Sequence, residues 1–190
     1  MLATLLLIVL VLIAAVTDAT RHRIYNWTTY PGILAGLLLA VVGALWERLA
    51  PETAAGWQPL VGWVAWSDAA AGFLVCGAVM IPCFLFFGTG GGDVKLLAMI
   101  GMLAGLEKGV EVLLWTFIFA GCIGLTVLIW KVGPWTLLKR LWQILVGIFT
   151  LGTVLRLPPE EKKVLQLPVV LAPCAPLAIA AALLPWPGLH

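Results

Sequence analysis

Two carboxylates stand where an apolar chain holds a charge least comfortably. The run Phe86-Phe87-Gly88-Thr89-Gly90-Gly91-Gly92-Asp93-Val94-Lys95-Leu96-Leu97 sets Asp93 and Lys95 directly after a glycine cluster, between two apolar segments. An ionisable group at membrane depth is costly and marks a functional site by default. The glycines allow a tight break between helices and a close approach of backbone. A second acid, Asp18, closes the first apolar segment in Ala15-Val16-Thr17-Asp18-Ala19-Thr20-Arg21. Two such acids are the minimum equipment of aspartyl-protease chemistry. Like charges about 3 Å apart cannot both ionise, so the pair shares a proton. The ionised member draws a proton from water, while the protonated member polarises a peptide carbonyl and then protonates the leaving amine.

Each of these residues also has a structural reading. Asp18 and Asp93 suit helix ends, where Asp is a favoured N-cap, and a capping geometry is compatible with catalysis. Lys95 either tunes the pair and touches substrate backbone, or snorkels to the interface. Arg21 and Arg23 fit topology determinants. Asn26 fits a hydrogen bond within the loop and a helix cap equally. His22 reads as an exposed loop residue. Asp68, after Ser67, reads as a cap on the third span at the opposite face.

The elements that must position these groups are membrane helices. The chain has 190 residues, 63% hydrophobic and 11% charged, with mean hydropathy +1.10. Soluble domains are roughly 45–50% apolar and 25% charged, which this chain is not. The net charge of +2 gives no argument for nucleic acid. Cys76, Cys83, Cys122 and Cys174 form no Cys-x-x-Cys pair, so neither a zinc site nor a disulfide framework is expected, and no cofactor is called for.

Runs of spanning length predict an all-α polytopic protein of about six transmembrane helices, a single membrane-embedded domain over 1–190. The spans fall at 1–17, 29–46, 61–87, 94–106, 110–130 and 167–184. Residues 133–157, opened by Lys139 and Arg140 and closed by Arg156, predict a helix lying in the cytoplasmic interface. The first run lacks a preceding basic residue and a good cleavage site, so it reads as a retained helix. Basic residues in loop 18–28 and in 131–166 put those segments, with the glycine cluster, on the cytoplasmic side and the amino terminus outside. Trp57, Trp63 and Trp66 crowd the other end as an aromatic belt. Asp18 and Asp93 then meet at one depth, on one face.

Gly90-Gly91-Gly92-Asp93, continued by Val94-Lys95-Leu96, resembles the Gly-x-Gly-Asp motif of the type IV prepilin peptidases, which are membrane aspartyl proteases. Asp18 followed by Arg23-Ile24-Tyr25-Asn26 is similar to that family's first-aspartate region, with Tyr25 in place of the usual proline. Ala172-Pro173-Cys174-Ala175-Pro176 resembles its Ala-Pro segment. The resemblance implies cleavage of the leader from prepilin-like precursors at the cytoplasmic membrane face. It implies Asp18 and Asp93 as the catalytic pair, with Gly90, Gly92, Lys95, Asn26 and Arg23 supporting or binding substrate. Longer members insert a Cys-x-x-Cys domain after the first span, where this chain has only loop 18–28. It is similar to the short form of tight-adherence and archaeal-type systems, and N-methyl transfer is not expected. A presenilin-like enzyme is disfavoured, because the Tyr-Asp and Pro-Ala-Leu of that type are missing. The different-class alternative is a small ion- or proton-coupled transporter using the same acids. Against it, no inverted repeat is visible and both acids sit at one face.

Overall fold

A computed structural model describes residues 1–21, 23–87, 90–133, 135, 139, 142 and 172–183. Helix α1 (Leu2–Arg21) carries no charge before Asp18, and its 20 residues reach about 30 Å, the thickness of bilayer hydrocarbon. It buries Ala3, Leu7, Val11, Ala14 and Ala15 and turns Leu5, Leu12 and Val16 outward. Small residues inward and large apolar ones outward is the pattern of a helix packed in lipid, where close backbone approach replaces hydrophobic exclusion. The helix outlasts its expected end at 17, and Thr17 and Thr20 return their hydroxyls to carbonyls of the preceding turn.

Helix α2 (Asn26–Leu49) buries Gly32, Gly36, Ala40 and Gly43 along one stripe. The stripe receives bulk from its neighbours, since a Cβ on Gly32 or on Gly36 would come within 2.8 Å of the Met99 or the Met102 side chain. Residues 47–60, expected as a loop, fold largely into helix α3 (Pro51–Val61). Pro51 begins it where a missing N–H costs nothing, Glu52 meets the positive end of its dipole, and Gly62 closes it at φ 73. The third span accordingly starts later than the expected Val61, as α4 (Trp66–Phe87). Trp63 is not part of an interfacial belt. It is buried, stacks on Trp46 at 6.0 Å and donates from Nε1 to Glu47 Oε1 at 2.8 Å.

Helix α5 (Gly91–Val132) is two limbs that meet at Gly105, where φ is 83. A Cβ on Gly109 would lie 2.8 Å from the Gly101 Cα, whereas eight residues of straight helix rise about 12 Å. The chain therefore doubles back. The expected turn at 107–109 is helical, and the reversal falls just before it. Asp68 explains the placement: its Oδ1 accepts from the Leu106 N–H at 3.1 Å, so it caps the second limb and not its own helix. The first limb is buried on every side from Leu96 to Ile100, which makes it the central helix. Helix α6 (Cys174–Leu183), the described part of the expected last span, packs on α1 and buries Ala175, Ala178 and Ile179.

Residues 1–119 with 170–190 form one unit and 120–169 a second. Of the latter, the end of α5 and residues 133, 135, 139 and 142 are described; apart from those four, the expected interfacial helix at 133–157 lies outside the described residues. The described elements are all helices, and the stretches Leu2–Arg21, Asn26–Leu49, Pro51–Leu85 and Gly91–Val127 are long and apolar enough to cross a membrane. The chain is an all-α, multi-pass membrane protein.

Candidate active site

Asp18 lies in the last turn of α1 and is 8% exposed. There the backbone offers carbonyls, not free N–H groups, so the carboxylate cannot cap its own helix. Asp93 lies in the first turn of α5 and is 7% exposed. Gly90 precedes that helix, and its carbonyl accepts the Asp93 N–H at 3.0 Å. Asp93 Oδ1 is buried and has no hydrogen-bond partner among the described residues. A buried carboxylate oxygen left unpaired costs on the order of 1–3 kcal/mol or more, and folds seldom keep one without a use.

The two acids, 75 positions apart in sequence, line one cavity of about 400 Å³. Its remaining wall comes from Arg23, Ile24 and Tyr25 of the α1–α2 loop, from Asn26 at the start of α2, and from the glycine run Gly90 to Gly92. The carboxylates are close enough for their charges to interact. Gly92 is needed where it is. A Cβ there would fall 2.8 Å from the Ile24 Cβ, so the loop can lie against the start of α5 only over a glycine.

The supporting residues divide. Arg23, Asn26, Gly90 and Gly92 line the cavity with the acids, whereas Lys95 does not. Lys95 Nζ instead donates to Asn26 Oδ1 at 3.0 Å and to the Tyr30 hydroxyl at 3.1 Å, and sits 4.9 Å from the Tyr30 ring centre. Arg21 is tied to the wall, its Nη1 donating to the Tyr25 hydroxyl at 2.9 Å. Asn26 is the first residue of α2, and the cap position is held by Tyr25 without a side-chain bond. His22 lies outside the described residues.

Four contributors escape a reading of the sequence alone. Ile24 and Tyr25 were visible only as spacers, and Tyr25 as a departure from a proline. Tyr30 stands one turn after Asn26, a spacing that puts both on one helix face and was the available signal. Cys174, at the start of α6, is near enough to Asp93 to feel its charge. Nothing in its local sequence announces that.

The family model described as the type IV leader peptidase family matches residues 5–125. This chain belongs to the type IV leader peptidase family. The match takes in both aspartates, the 23–26 loop and the glycine run, and ends before the Ala172–Pro176 segment. No curated protein and no solved structure matches the chain. The protein is thus a membrane aspartic protease of the family that acts on prepilin-like substrates, seated with several spans in the inner membrane.

Proposed function

We propose that Asp18 and Asp93 are the catalytic pair of a leader peptidase that cleaves prepilin-like precursors at the cytoplasmic membrane face. The observation that carries this reading is the shared cavity, which two buried carboxylates line and into which no other acid projects among its lining residues. One carboxylate takes a proton from water as the water oxygen bonds to the peptide carbonyl carbon. The other, protonated, gives its proton to the carbonyl oxygen, so a neutral gem-diol forms. The pair then returns a proton to the nitrogen and takes one from a diol hydroxyl as the C–N bond breaks. Acid and amine leave, and the pair regains its starting protonation.

The backbone at Gly90 and at the start of α5, Gly91 and Gly92, offers exposed groups with which an extended substrate pairs, and Arg23, Asn26 and Lys95 support the wall. In this account the whole chain, 1–190, acts as one peptidase domain of about six spans with the amino terminus outside. Bilayer lipid and precursor protein are its partners, and the reaction calls on no cofactor.

The test is leader cleavage of a prepilin-type precursor in membranes, with Asp18→Asn and Asp93→Asn compared with wild type at equal protein level. Each variant is expected to lose roughly a thousandfold or more in rate, as when a catalytic group is removed from a concerted set. Cleavage surviving in either would remove the pair, and ion or proton transport by the same acids would become the reading to measure.

A further inference from the structure

The cavity pairs its acids with an amide whose orientation is fixed by a residue outside it. Asn26 lines the cavity, and Lys95, which does not, donates to its side chain. An ammonium carries donors only, so the atom it meets at 3.0 Å must be the amide oxygen. The Nδ2 amine, on the other arm of the planar amide, is therefore turned away from Lys95. It donates to no group among the described residues. Nor is the side chain occupied in capping α2, since its oxygen is engaged and the helix has no side-chain cap. Lys95 is itself fixed, by the Tyr30 hydroxyl at 3.1 Å and the face of the Tyr30 ring. Asn26, exposed on the cavity wall, thus carries a neutral amine whose N–H groups pair with none of the described residues, in a site whose two principal groups are carboxylates.

A peptide carbonyl is the group such a donor fits. We propose that Asn26 Nδ2 donates to the scissile carbonyl oxygen of the substrate, and that Lys95 is the positioning residue that keeps the amide from flipping. The inference rests on the cavity being the active site. As water adds to the carbonyl carbon, electron density rises on that oxygen, so the bond tightens in the transition state and acts on kcat more than on KM.

The experiment measures kcat and KM for cleavage of a prepilin-type precursor by the full-length chain in detergent or liposomes, normalised to folded protein. Asn26→Asp keeps the size and the bond to Lys95 but removes the donor, and Asn26→Ala removes both without adding charge. Each is expected to lower kcat by about tenfold to a hundredfold with KM nearly unchanged. Lys95→Met should lower kcat by about tenfold, less than removal of the donor itself, and Lys95→Arg should restore most of that loss. In the Asn26→Ala background, Lys95→Met should cost nothing further, because its effect passes through the missing amide. Wild-type kcat in both Asn26 variants would overturn the donor role. Additive losses in the double variant would overturn the positioning role of Lys95. Asp18→Asn, run alongside, separates the two levels. If it is inactive while Asn26→Asp is fully active, only this inference fails; if it cleaves normally, the active-site reading itself fails.

Discussion

Asp93 is held against the ordinary preferences of a folded chain, with one carboxylate oxygen buried and unpaired among the described residues and a second acid in electrostatic reach. Replacing it with Asn removes the like charge at constant shape. Asp93→Asn is therefore expected to abolish cleavage while raising Tm by a few degrees, the usual exchange at a strained active site. A thermal melt in detergent checks it, and a lowered Tm would mean the carboxylate holds the fold together. The glycines separate just as cleanly. A Cβ on Gly92 meets the Ile24 Cβ at 2.8 Å, whereas one on Gly91 meets the nearest atom, Phe84 Cε2, at 3.8 Å. Overpacking of the first kind costs about 1–3 kcal/mol. Gly92→Ala should cut the cleavage rate at least about tenfold, and Gly91→Ala should leave it within about twofold. At this scale the sequence declared its acids and its glycine run, because charge and glycine are conspicuous in apolar surroundings. Ile24 was mute, since an isoleucine packed on a glycine looks like any other.

Helix ends decide what the elements do. Asp68 is an acid in the first turn of α4, and local rules assign it to its own helix. The structure spends it on Leu106 instead, across the reversal at Gly105. Such a long-range cap is invisible to spacing, which is why the expected turn at 107–109 fell after the true one. Gly105 holds φ 83 with ψ −179, backbone that essentially only glycine adopts and that costs another residue about 1–3 kcal/mol. Gly105→Ala should lower Tm accordingly. Asp68→Ala should lose about 1 kcal/mol of stability with kcat intact, because the reversal is remote from the residues that line the cavity. Unfolding curves paired with a cleavage assay test both, and a drop in kcat for Asp68→Ala would mean that the reversal communicates with the site. The glycine stripe of α2, Gly32 through Gly43, went unread in the sequence, although its three- and four-residue spacing was there. What it receives, Met99 and Met102, was not, because partner choice is tertiary.

At the level of the molecule, apolar length alone announced a multi-pass helical protein, and the order of the segments brought Asp18 and Asp93 together. Helix α3 was hidden by two prolines and a loop-like composition, though Pro51 and Glu52 were start signals. Orientation rests on the basic residues of the loops. A cysteine placed at Arg23 should react with impermeant maleimide only from the cytoplasmic side, and one at Gly56 only from the outside; the reverse pattern would invert the topology. Because one acid must be protonated and its partner ionised, cleavage should fall on both sides of a pH optimum. A single-limbed profile would mean one titrating group. The most direct measurement of the central claim is the residual cleavage rate of Asp18→Asn, Asp93→Asn and the double variant. Two acids acting as one unit leave the same residual rate in all three, since the second substitution has nothing left to remove. A single variant near the wild-type rate, or a double variant whose loss is the product of two independent losses, would contradict the account.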